Sequence, residues 1–151
     1  NTYGEGQVAQ FVITKWVLNV MNNKNPIVYG DGEQLRSYGH VEDVIRGLKL
    51  ILKNPISNGK TYNLGNSTQI RSLRELAELV IEIVNPSQKL KVEVLDTFDG
   101  SDRIAEREIH TRYCDTSLAN KDLGYTPSIT VEEGIKRIAA QAKIHSDWPS
   151  S

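Results

Sequence analysis

Apolar residues return every three or four positions over residues 8–21, where Val8, Phe11, Val12, Trp16, Val17 and Val20 share one face. That spacing predicts an amphipathic helix. Asn22-Asn23-Lys24-Asn25-Pro26 stops it, because asparagine is a poor helix former and a residue before proline avoids the α region. Val41, Val44, Ile45, Leu48, Ile51 and Leu52 predict a second helix over 41–52. A third opens at Ser72-Leu73-Arg74-Glu75, a capping box in which serine and glutamate satisfy each other's backbone amides. Its apolar face holds Leu73, Leu76, Ala77, Val80, Ile83 and Val84, and Asn85-Pro86 ends it. A short helix over 116–123 stops at Gly124. The last begins at a second capping box, Thr130-Val131-Glu132-Glu133, with Ile135, Ile138, Ala139 and Ala142 inward.

Period-two or β-branched runs fill the gaps. Ile27-Val28-Tyr29 reads as a strand closed by Gly30-Asp31-Gly32, residues 35–39 as a further extended piece, and 60–64 as a strand after the Asn58-Gly59 turn. Residues 91–95 alternate like a half-buried strand, 96–112 are polar and loop-like, and the tail from 146 is expected to fray. Helices and brief strands together predict an α+β fold, a small mixed α/β arrangement, in a single domain over 1–151.

Composition narrows the function. At 38% the hydrophobic fraction is low for a globular domain, so a neighbour is expected to complete part of the core. A net charge of −1, without a basic block or face, argues against nucleic acid and anionic membranes. Cys114 is the single cysteine and cannot form an internal disulfide; it is read as a small buried apolar side chain in a reducing cytoplasm. No apolar stretch reaches the length of a membrane span. The sequence opens Asn-Thr-Tyr-Gly without methionine, inside what reads as a motif, which is the expectation for a fragment.

Self-contained catalytic patterns are missing. There is no glycine-rich phosphate loop before a helix, no Gly-x-Ser-x-Gly elbow, and no metal-ligand spacing among His40, His110 and His145. None of the six tyrosines has a lysine four residues on. No catalytic residue and no metal ligand is therefore assigned.

Two stretches carry a resemblance. Val28-Tyr29-Gly30-Asp31-Gly32-Glu33-Gln34-Leu35-Arg36, followed by His40-Val41-Glu42-Asp43-Val44, resembles the V-Y-G-D-G-x-Q-x-R…(H/Y)-V-(D/E)-D segment of extended short-chain dehydrogenases that act on nucleotide sugars. Tyr62-Asn63-Leu64-Gly65 is similar to the Y-N-(I/L)-G strand of that family. The opening Asn-x-Tyr-Gly, Leu123-Gly124-Tyr125-Thr126-Pro127 and Val131-Glu132-Glu133-Gly134-Ile135 agree with its remaining motifs, in order and at fitting spacing.

The resemblance implies the C-terminal, substrate-binding part of an NAD-dependent epimerase or dehydratase, without its Rossmann half. NAD(P) and the Tyr-x-x-x-Lys pair would then belong to the absent domain, leaving this chain inactive alone and without a cofactor of its own. Arg36 matches the arginine that grips the substrate diphosphate, where a guanidinium fork suits paired phosphate oxygens; a salt bridge with Glu33 or Glu42 is the competing assignment. Tyr29 matches positions around base and ribose, or is simply core. Asn63 matches a nucleotide-contacting asparagine, or caps a turn. Asn1 matches a substrate-contacting asparagine, though chain ends often lack order. Arg103 and Arg107 lie where relatives bring a second arginine to the phosphates; a solvated charge run competes for both. Ser37 replaces an expected aspartate, which leaves the ordering of Arg36 open, and Gly39 replaces a bulky residue, which is expected to weaken packing. The expected partners are a nucleotide-diphosphate sugar, and either the Rossmann domain or a second copy covering helix 41–52 and the edge of strand 60–64. A free-standing binding module and one chain of a split enzyme remain as alternatives.

Overall fold

The computed structural model describes residues 1–87, 89–96 and 109–144. Strand β1 (Thr2–Tyr3) leads into helix α1 (Val12–Met21), then β2 (Ile27–Tyr29), β3 (Leu35–Ser37), β4 (Gly39–His40) and α2 (Val41–Lys53). A 3-10 turn at Pro55–Ser57 is followed by β5 (Ile70–Ser72), α3 (Leu73–Val84), β6 (Glu93–Leu95), β7 (Thr111–Arg112), α4 (Ser117–Leu123) and α5 (Val131–Ile144). The result is a small mixed α/β arrangement.

Helices α1, α3 and α5 pack against one another. Their buried residues, among them Ile13, Trp16, Val17, Val20, Leu76, Ala77, Val80, Ile135 and Ile138, form one core with Val28 of β2. Trp16 also ties α1 to β2, its Nε1 donating to the Ile27 carbonyl at 3.0 Å. The Ser72–Glu75 capping box forms in full, with both reciprocal bonds present. The second box forms by half: Thr130 Oγ1 accepts from the Glu133 amide at 3.2 Å, while the Glu133 carboxylate accepts from Arg137 at 2.9 Å. Helix α1 begins four residues later than the apolar period suggests, and Phe11 stands at its N-cap.

The strands are brief and mostly parallel. β1 pairs with β4 and β2 with β6, both parallel; β3 lies between antiparallel β5 and parallel β7. Parallel pairing requires long crossovers, so these partners are distant in sequence. The polar run expected as loop contributes β7 to this sheet. No strand forms over 60–64. Side chains settle that segment instead: Lys60 and Tyr62 both donate to Asp122, Asn63 Nδ2 donates to the Asp115 carbonyl, and Leu64 lies against Gly47. The free strand edge expected there is therefore absent.

Helix α2 turns its polar and small residues inward. Asp43 and Gly47 are its buried positions. Asp43 accepts from the amides of Ser128 and Ile129, both at 3.0 Å, and pairs with Arg46 at 2.8 Å. Gly47 admits Leu64 and Tyr125, whose atoms lie 2.7–3.0 Å from where a Cβ would stand. Ile45, Leu48 and Leu52 lie on the opposite side and are exposed, Leu52 at 86%.

Gly39 does not loosen the fold. A Cβ there would meet the Gly65 Cα at 3.1 Å and the Asn66 nitrogen at 3.3 Å, so two backbones touch where a bulky residue was expected. Cys114 is half-buried and fills the space beside Gly65, with its Sγ 2.6 Å from the position of an added Cβ.

Candidate functional site

A cavity of about 410 Å³ opens between the first sheet, the β3–β7 pair and the start of α1. Tyr3 on β1, Arg36 on β3 and Arg112 on β7 form one part of its lining; Gln10, Phe11, Val12 and Ile13 at the entry to α1, with Leu73 of α3, form another. The parallel ladder sets Arg36 directly beside Arg112. Two guanidinium groups thus share a lining that contains no carboxylate among the described residues. Like charges directly opposite on neighbouring strands are destabilising by a few tenths of a kcal/mol or more, roughly 0.2–1.

Arg36 is buried, 4% exposed, and its Nη1 donates to the carbonyls of Leu35 at 2.8 Å and His110 at 3.0 Å. Two backbone oxygens thus help to orient the guanidinium beside Ser37. The competing salt bridge does not form, since Glu33 pairs with Arg74 and Glu42 with Arg137. Arg112 is exposed and has no ion pair among the described residues.

Asn1 is held in place: its ammonium donates to the Ser37 carbonyl at 3.0 Å, and its carbonyl accepts from the Gly39 amide at 2.9 Å. Burial holds that ammonium below the ordinary amine value. Cys114 opposes the shift, and Arg112 and Arg36 add to it. Both arginines thus act on the same small volume.

Tyr3 borders the cavity but is fixed as a phenol. Its hydroxyl donates to the Thr130 carbonyl at 3.1 Å, and burial pushes its pKa well above the ordinary tyrosine value. Behind it, His40 is fully buried, edge-on to the Tyr3 ring, with Nε2 2.9 Å from Glu5 Oε2. Its Nδ1 accepts from the Glu42 amide at 3.3 Å, so the ring proton sits on Nε2 and faces the carboxylate. This unit caps α2 and pins the β1–α1 connection. No group of three or more potential metal-ligating side chains occurs among the described residues.

Of the residues singled out in the sequence, Arg36 and Asn1 meet in this cavity. Tyr29 and Asn63 do not line it. Tyr29 is half-buried on β2, where its carbonyl accepts from Gln34 Nε2 at 3.3 Å, and Asn63 braces the Asp115 carbonyl. Arg103 and Arg107 lie outside the described residues. Sequence reasoning did not single out Arg112, Gln10 or Phe11. Arg112 becomes visible only through the β3–β7 pairing, which joins residues more than seventy positions apart.

A family model for GDP-mannose 4,6 dehydratase matches residues 1–138. The chain is 32% identical over 142 residues to UDP-glucuronic acid decarboxylase 1 of Arabidopsis thaliana, covering 93% of this chain and 30% of that protein. Its fold matches a dTDP-glucose 4,6-dehydratase from Bacillus anthracis in complex with NAD, with a TM-score of 0.79 at 21% identity, over 98% of this chain and 44% of that one. It also matches a UDP-glucose 4-epimerase from Thermotoga maritima with UDP-glucose, with a TM-score of 0.77 at 22% identity, over 95% and 44% respectively. The chain thus spans well under half the length of these relatives.

Proposed function

The chain belongs to the GDP-mannose 4,6 dehydratase family, among the NAD-dependent nucleotide-sugar dehydratases and epimerases of the extended short-chain dehydrogenases, and from that premise we propose that it supplies the substrate-binding part of such an enzyme. Its work is to hold the diphosphate of a nucleotide sugar in the cavity between β1, β3, β7 and α1. The observation that carries this reading is the Arg36–Arg112 pair, set side by side on the cavity wall by the β3–β7 register. A guanidinium already oriented by two carbonyls loses little freedom when a phosphate arrives, so it binds with more of its gross energy retained.

The redox step and its NAD(P) belong, on this reading, to a Rossmann part outside these residues, and the chain alone is inactive. What supports this is that α2, α3 and α5 close their own N-termini with His40, Ser72 and Thr130. A dinucleotide's pyrophosphate needs such amides open behind a glycine turn. No glycine-rich turn of that kind precedes these three helices, and no step through the cofactor follows from the described residues. The exposed Ile45, Leu48 and Leu52 stripe of α2 is the surface that the Rossmann part, or a second copy, covers. A cytoplasmic setting accords with the single unpaired cysteine.

Calorimetric titration with inorganic pyrophosphate and with UDP-, GDP- and dTDP-sugars tests the reading. Arg36→Lys keeps the charge but loses the fork, and Arg112→Ala removes one cation. Each is expected to weaken pyrophosphate and nucleotide-sugar binding by roughly tenfold, the equivalent of about 1.4 kcal/mol. Binding that is absent at millimolar ligand, or unchanged in both variants, refutes it.

A further inference from the structure

The part of the cavity wall that β1 supplies is held from behind. β1 pairs with β4 over two residues, Thr2 with Gly39 and Tyr3 with His40, and a two-stranded ladder that short does not fix a strand by itself. Yet Asn1, Thr2 and Tyr3 line the cavity, and Gln7 follows on the same segment. Glu5 does not line it; its carboxylate turns to His40, with Oε2 2.9 Å from Nε2. Gly4 lets the backbone come that close, since a Cβ there would meet Val41 Cγ1 at 2.5 Å and His40 Nε2 at 3.4 Å. The histidine is informative. An N-cap requires a single acceptor, which asparagine, aspartate or serine supplies without burying a ring completely, as happens here. What the imidazole adds is a second nitrogen on its far side. Nδ1 caps α2 at the Glu42 amide while Nε2 reaches Glu5, so one rigid ring joins the β1–α1 connection to the first turn of α2.

We propose that Glu5 is a positioning residue for this cavity: acting through the His40 ring, it sets Asn1–Tyr3 where they meet the bound anion. The inference rests on the reading of the cavity as a diphosphate site. Charge and position pull in opposite directions here, which separates the two roles. Glu5 is an anion beside an anion site, so removing it makes the cavity more positive, and charge alone predicts tighter pyrophosphate binding. If the carboxylate positions the wall, removing it weakens binding instead. Its side chain is 28% exposed, so solvent and salt screen the charge, and the positioning effect wins.

Calorimetric titration of the 151-residue chain with inorganic pyrophosphate is the test. Glu5→Ala is expected to weaken binding by roughly tenfold, and Glu5→Asp, which keeps the charge but draws it back from Nε2, by a smaller factor. Glu5→Gln, whose amide oxygen still accepts from Nε2, should retain the parent's affinity or exceed it. That order follows reach and not charge. Nitrogen NMR of the His40 ring supplies the signature: the proton stays on Nε2 in the parent and in Glu5→Gln, and exchanges between the two ring nitrogens in Glu5→Ala. Thermal melts near the parent's show an intact fold; if Glu5→Ala melts far below, Glu5→Asp and Glu5→Gln decide by the same order. Pyrophosphate binding unchanged or tighter in Glu5→Ala and Glu5→Asp overturns the inference, with the diphosphate reading intact. So does a loss in Glu5→Ala that leaves the His40 signals as in the parent. An equal loss in Glu5→Gln and Glu5→Ala makes the charge the cause and overturns it too. If pyrophosphate does not bind the parent, the diphosphate reading and this inference fall together.

Discussion

Replacing Gly134 by alanine sets two effects of known size against each other. Gly134 lies inside α5 at a backbone conformation open to any residue, so alanine should stabilise the helix by about 1 kcal/mol on propensity alone. The added methyl, however, would stand 2.2 Å from Tyr3 Oη, 2.5 Å from Cε2 and 2.6 Å from Cζ. These are not the loose ends of a flexible side chain. Tyr3 is 3% exposed, its hydroxyl is bonded to the Thr130 carbonyl, and its ring abuts His40. Overpacking of this kind costs about 1–3 kcal/mol, and losing the hydroxyl bond adds about 0.5–1.5. The clash wins, with a net destabilisation of roughly 1–3 kcal/mol. For a chain of this length that corresponds to a fall in Tm of about 2–12 °C. Urea denaturation and a thermal melt of Gly134→Ala measure it. Tyr3→Leu in the same background should recover part of the loss, giving a coupling of opposite sign to the single effects. A Gly134→Ala protein as stable as the parent, or more stable, refutes the claim that Tyr3 is locked against α5.

Two further outcomes follow from the same neighbourhood and from α2. Because burial, aided by Glu132, Asp43 and Glu5, raises the Tyr3 pKa, the folded state favours the neutral phenol. Its contribution is complete below the ordinary value of about 10 and is lost as pH rises beyond it. Urea midpoints between pH 8 and 11 should therefore fall less steeply in Tyr3→Phe than in the parent; equal slopes would remove Tyr3 from the account. The apolar stripe of α2 should drive self-association of the isolated chain, seen as a concentration-dependent mass in sedimentation or light scattering. Leu52→Glu should yield a monomer without loss of Tm, since that side chain is already in water, and a monomeric parent across the series would sink the idea.

Much of the helical framework was legible because local chemistry determines it. Ser72 and Glu75 satisfy two orphan amides whatever surrounds them, and the inward residues of α3 and α5 follow the 3.6-residue period. The strands were less legible. Residues 60–64 carry β-forming side chains, yet a strand needs a partner, and there Asp122 and Asp115 supply side-chain and carbonyl acceptors instead. The opposite happened at Thr111–Arg112, whose polar sequence gives no strand signal but which β3 recruits into its sheet. Gly39 shows the same limit. Its effect depends on Gly65 and Asn66, whose backbones it admits, and no local window contains all three.

The site divides along the same line. Arg36 could be picked out because its motif specifies one residue at one position, but the cation beside it is set by register between distant strands. Helix α2 makes the point most sharply. Its amphipathic period was correctly read, yet the protein buries the other side, where Asp43 bonds the 128–129 backbone and Gly47 makes room for Leu64 and Tyr125. A stripe of Ile45, Leu48 and Leu52 establishes that covering it would be favourable, by about 3–5 kcal/mol at the exposures seen here. It does not say which surface does the covering. An apolar period therefore constrains free energy before it constrains geometry. The two coincide in α3 and α5, whose partners lie within the described core, and they part company in α2, where Ile45, Leu48 and Leu52 stay exposed.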